Sequence, residues 1–178
     1  MTAATTPVEH GTATTLRRGL LVLAGAGIAF TALELAAIHH WETAAQLIPW
    51  AALAGVTATL VLIVARPLRS TVLAARWTGV LLAATGLYGV IDHVSANVSA
   101  GPLDGQYGPR WDTMSTIGHW WAAANGGVGP APTLAPLVLA QIGLCLALAT
   151  VGHPALGRRR LKPADAALGA IEPDQVPA

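Results

Sequence analysis

GLLVLAGAGIAFTALELAAI, residues 19 to 38, is the stretch that decides the fold class, because its twenty residues carry one charge, Glu34. A helix rising about 1.5 Å per residue needs roughly this length to cross a hydrocarbon core of about 30 Å. Three more blocks of spanning length follow, at 47–65, 72–91 and 134–152. The chain as a whole is 53% hydrophobic and 11% charged, with a mean hydropathy of +0.55, where a soluble domain carries about a quarter charged residues. The expected fold is therefore all-α: a polytopic membrane protein with four transmembrane helices in a bundle and an outer loop over residues 95–132. Residues 1–16 and 158–178 are read as polar, disordered cytoplasmic tails flanking a transmembrane domain over 17–157.

Orientation follows from the basic residues. Arg17 and Arg18 precede the first block, Arg66, Arg69 and Arg76 surround the turn between the second and third, and Arg158, Arg159, Arg160 and Lys162 follow the fourth; Arg110 alone lies on the other side. The positive-inside rule then puts both termini in the cytoplasm of a cell-membrane protein. A secretory leader is disfavoured, because the first apolar run is of full spanning length and no small-x-small cleavage site ends it. The basic clusters read as topology signals and lipid-headgroup contacts rather than a nucleic-acid patch, since no base-stacking aromatics accompany them.

An internal echo organises the chain. Thr31 to His39 (TALELAAIH) reappears 54 residues later as Thr85 to His93 (TGLYGVIDH), with Thr, Leu and His at matching places. Pro49 and Pro67 bracket the second block at the separation by which Pro136 and Pro154 bracket the fourth, and Leu47 matches Leu134. The blocks thus pair into two duplicated helical hairpins. Both run from inside to outside and back, so the repeat is parallel, related by a pseudo-twofold along the membrane normal.

The repeat also places candidate chemistry. Steps of seven align Gly25, Ala32 and His39 in one copy and Gly79, Gly86 and His93 in the other, each trio forming one helical stripe. Small residues mark close helix approach, so both histidines are expected to face the bundle interior. Two facing imidazoles are what a bis-histidine haem b needs. With His40, His119, Asp92 or Asp112 they would instead make a nitrogen and oxygen site for a divalent metal. The alternative is that all of these are boundary residues meeting water and headgroups.

Glu34 is the costly residue, about 7 Å below the outer end of its helix. Tyr88, its counterpart in the second copy, and Gln141 in the fourth block are the expected partners, either as interhelical hydrogen-bonding groups or as part of a proton relay. Trp111 to Trp121 (WDTMSTIGHWW) is expected to form a short helix capped by Asp112 or Thr113, lying in the headgroup layer as a lid. Arg76 is expected to snorkel to the interface.

The single Cys145 excludes an intramolecular disulfide, a dithiol redox centre and a C-x-x-C-H haem attachment within this chain. No nucleophile with its base is visible, so catalysis would have to run through a metal. Three functions remain: a structural or accessory membrane subunit, in a homodimer or larger complex; a haem- or metal-binding redox accessory protein using His39 and His93; and a small proton-coupled carrier using Glu34.

Overall fold

The computed structural model describes residues 7 to 157, with side chains from residue 11. Among them there are helices and turns and no strands: α1 (Pro7–Ala37), α2 (Leu47–Ala65), α3 (Arg69–Ala100), α4 (Thr116–Ala124), α5 (Leu137–Ala149) and the single turn α6 (Pro154–Gly157). Stretches within three of these, Gly11–Ala37, Leu47–Ala65 and Arg69–Leu103, are long and apolar enough to cross a membrane. The expected tail over 158–178 and the first six residues of the N-terminal one lie outside the described residues.

The boundaries differ from the sequence expectation in three ways. Helix α1 begins at Pro7 rather than near Gly19, because nothing in the Thr- and Ala-rich lead breaks a helix once the apolar segment has nucleated it; Thr15 even returns its hydroxyl to the Gly11 carbonyl at 3.1 Å. Helix α3 runs on to Ala100, nine residues past Ile91, so residues 95–100 are helix rather than loop. Its 32 residues span about 48 Å, more than a hydrocarbon core requires. The fourth apolar block, by contrast, is α-helical only over the 13 residues of α5, about 20 Å. Tighter turns flank it, with Leu137 N–H on the Leu134 carbonyl at 3.0 Å at one end and Val151 N–H on Leu148 at 3.0 Å at the other.

Helix α5 sits between α3 and α1 and has its broadest interface with α3; α2 also touches both α3 and α1, while α1 and α3 share no broad interface. The α3–α5 contact is made by missing side chains. A Cβ on Gly79 would stand 2.6 Å from the Gly143 carbonyl oxygen and 2.8 Å from Ala147 N, and one on Gly86 would stand 2.5 Å from Ala140 N. Backbone therefore meets backbone along two turns. On α1, Gly27 admits Ile142 of α5, where a Cβ would lie 2.7 Å from Ile142 Cγ1, and Ala24 is fully buried in the same core. Gly25 behaves differently: a Cβ there would meet Leu60 of α2 at 3.6 Å, an ordinary contact.

Two arginines close the far end of α5. A helix leaves its last carbonyls without intrahelical donors. Arg17 of α1 donates from Nε to the Ala149 carbonyl at 3.0 Å and from Nη2 to Gly152 at 3.4 Å. Arg76 of α3 donates from Nε to Thr150 Oγ1 at 3.0 Å and from Nη2 to the Thr150 carbonyl at 3.1 Å. Arg76 thus turns inward, to a fully buried threonine, instead of snorkelling away. We call this the arginine end of the molecule and the opposite one, where residues 101–136 fold, the lid end.

Candidate functional site at the lid end

Helix α1 stops in a Schellman turn. His40 N–H bonds to the Leu35 carbonyl at 2.9 Å and His39 N–H to Ala36 at 3.1 Å, which puts His39 at the position that takes a left-handed backbone, φ 53°. Among the described residues no other non-glycine has a positive φ. His39 is exposed, with its ring edge-on to Trp41 at 5.3 Å, so it lies past the helix and outside the interior its stripe was expected to reach. His40 contributes its carbonyl, which accepts Trp50 Nε1–H at 2.7 Å and ties α2 to the turn. Because a left-handed backbone costs a side chain about 1 kcal/mol, His39→Gly should raise the melting temperature in detergent by a few degrees while leaving the fold intact.

His93 lies on the face of α3 that carries Gly79 and Gly86, and that face is turned to α5 and the chain leading into it. Its Nδ1 is 2.9 Å from the Pro132 carbonyl oxygen. His119, on α4, stacks on Trp111 at 4.1 Å with a 13° interplanar angle, and its Nε2 is 2.8 Å from the Trp111 carbonyl oxygen. Asp92 and Asp112 are exposed. The predicted residues are thus distributed over a helix end, the α3–α5 junction and the lid. Among the described residues no group of three or more His, Cys, Asp or Glu side chains is placed to hold a metal ion.

The lid is a small folded unit with its own core of Trp111, Ala122 and Val128. Trp111 is 6% exposed and packs its ring against Gly101, so it is buried in protein; Trp121 is 70% exposed. The short helix begins later than expected, and its cap is Ser115, whose hydroxyl accepts Gly118 N–H at 3.2 Å, instead of Asp112 or Thr113. Asp104 builds the preceding turn by accepting Gln106 and Tyr107 N–H, each at 2.8 Å.

What fastens the lid is a residue that sequence reading passes over. Asn97 is fully buried and pairs both ends of its amide with one residue: Nδ2–H to the Ala131 carbonyl at 2.8 Å and Oδ1 from Ala131 N–H at 2.9 Å. Gly129, at φ +78°, passes so close that a Cβ would strike the Asn97 side chain and come within 2.8 Å of its Cα. The available signal was an asparagine on the helical continuation of the Gly86 and His93 face, in a segment assigned to loop.

Glu34 is half-buried on α1 and forms no hydrogen bond with another described residue through its carboxylate; neither Tyr88, which is 65% exposed, nor the exposed Gln141 reaches it. The interhelical glue expected of this trio is not made, because Tyr88 is exposed and the helix that carries it, α3, shares no broad interface with α1. One turn below, Thr31 is buried with its hydroxyl unpartnered, whereas its repeat counterpart Thr85 bonds to the Leu81 carbonyl at 2.9 Å. Comparison with protein-family models, with curated proteins and with solved structures finds no match to this chain.

Proposed function

We propose that this chain is a structural or accessory subunit of the cell membrane: a multi-pass bundle of two duplicated hairpins with both termini in the cytoplasm. The observation carrying the functional part is how its polar groups are used. His93, His119 and Asn97 are each engaged with backbone that anchors or builds the lid, and Gly86, on the His93 face, is filled by Ala140 of α5, so the lid end is occupied in holding its own shape.

The duplication is supported by partner matching. Gly25 meets Leu60, and its repeat equivalent Gly79 meets Ala147, the equivalent of Leu60. The counterparts of Leu53, Val56 and Leu60 are Ala140, Gly143 and Ala147, which accounts for the closer second hairpin. The fourth span is supported by the turns that extend α5 at both ends toward the length of its apolar block.

A visible absorption spectrum and metal analysis test the functional reading. Purified from haem- and metal-replete cells, the protein should be colourless and hold no stoichiometric metal. A Soret band or bound metal that disappears in both His39→Ala and His93→Ala would replace it with the redox reading.

The unpartnered Thr31 hydroxyl one helical turn from an unpartnered Glu34 favours one second reading, a proton-coupled carrier. Proton uptake by reconstituted vesicles that Glu34→Gln removes would carry that reading over the first.

A further inference from the structure

A cleft of about 1180 Å³ opens at the arginine end, between the start of α3, α6 and Arg17 of α1. Its lining is of two kinds: the arginines Arg17 and Arg69 with the Ser70 hydroxyl, and the apolar side chains of Leu68, Leu73 and Leu156. Among the described residues that line it there is no carboxylate. Between residues 11 and 157 the acidic residues are Glu34, Glu42, Asp92, Asp104 and Asp112, and every one lies toward the lid end; Glu34 is already seventeen residues, about 25 Å, up α1 from Arg17. Arg18, Arg66 and Arg76 add to the same basic end.

Arg17 is held in place by its bonds to Ala149 and Gly152, which use two of its five N–H donors. The remaining donors sit on a guanidinium whose position is fixed, so ordering it around a ligand costs little. Burial, with the nearby Arg17 charge, pushes the His153 imidazole below its ordinary range, so the positive charge of the cleft rests on the arginines.

We propose that this cleft seats an anionic phospholipid, its phosphate on Arg17 and Arg69 and the start of its acyl chains along Leu68, Leu73 and Leu156. The mixed lining selects lipid over free phosphate. A soluble anion would leave the three leucines against water, whereas a lipid covers both kinds of surface, at the depth where basic pockets between membrane helices hold headgroups. This inference holds whichever reading of the lid end is correct.

The test uses full-length protein in detergent, titrated with phosphatidylglycerol or phosphatidylcholine and read by native mass spectrometry. Wild type should retain one phosphatidylglycerol in preference to phosphatidylcholine. Arg69→Gln should weaken phosphatidylglycerol about fivefold and leave phosphatidylcholine unchanged, Arg69→Lys should recover most of the loss, and Arg110→Gln at the opposite end should have no effect. Arg69 is exposed, so its variants should fold, and unchanged melting in phosphatidylcholine confirms that they do. Equal binding by wild type and Arg69→Gln, or equal losses in the Arg69 and Arg110 variants, overturns the site. Displacement of phosphatidylglycerol by millimolar inorganic phosphate overturns the lipid and leaves a phosphate site.

Discussion

Gly143→Leu is expected to separate α3 from α5 and to lower the melting temperature by about 10 °C, corresponding to about 3 kcal/mol. A Cβ at this position would lie 2.6 Å from Ala83 N and closer still to the Gly79 carbonyl oxygen. Both obstacles are main chain, so no rotamer change relieves the clash; the helices must part, and the contacts along Gly79, Gly86 and Ala147 go with them. Gly25→Ala is the matched comparison. Its new methyl would meet only a flexible leucine tip at 3.6 Å, and alanine is the better helix former by about 0.5–1 kcal/mol, so that variant should melt at or slightly above the wild-type temperature. Equal losses from the two substitutions would show that the α3–α5 contact is no tighter than the α1–α2 contact.

Asn97→Ala should release the lid. Both polar atoms of the half-buried Ala131 would lose their fully buried partner, and each orphaned group costs about 1–3 kcal/mol. The sum, about 3 kcal/mol, falls on one local element and not on the bundle. The expected readout is therefore rapid hydrogen exchange and protease cleavage across residues 126–133, with the helical circular dichroism of α1 to α3 retained. Asn97→Asp keeps an acceptor for Ala131 N–H but loses the donor to its carbonyl and buries a charge, so it should release the lid as well. Protection of this segment in both variants would mean that Trp111 and Val128 alone hold it.

Both predictions depend on features that differ in how well sequence displays them. Apolar length shows up directly, and the first three spanning helices were legible for that reason. The glycine stripe on α3 was legible as a place of close approach, but a period of seven does not say which neighbour approaches. The stripe is filled by α5. His39 was misplaced because a Schellman turn at a histidine carries none of the usual glycine signal; the helix stops two residues before it. Asn97 and the buried Trp111 were missed for a common reason. Their partners lie 34 residues away and across a lid core, and nothing in the local pattern of a Gly- and Pro-rich segment announces that it packs on itself. The arginines were read as topology signals and interface contacts, while two of them also cap a helix that neither belongs to.

That cap has a consequence for the order in which the chain is assembled. Arg17 and Arg76 are synthesised long before Ala149, Thr150 and Gly152, whose oxygens they hold, and the two helices bearing them share no broad interface with each other. As the chain emerges from the ribosome, α1 and α3 therefore have only α2 in common until the final apolar helix arrives. Helix α5 works as the keystone of a vectorial process. A nascent chain halted before residue 137 would hold two arginines without their carbonyls and a glycine groove without its filling.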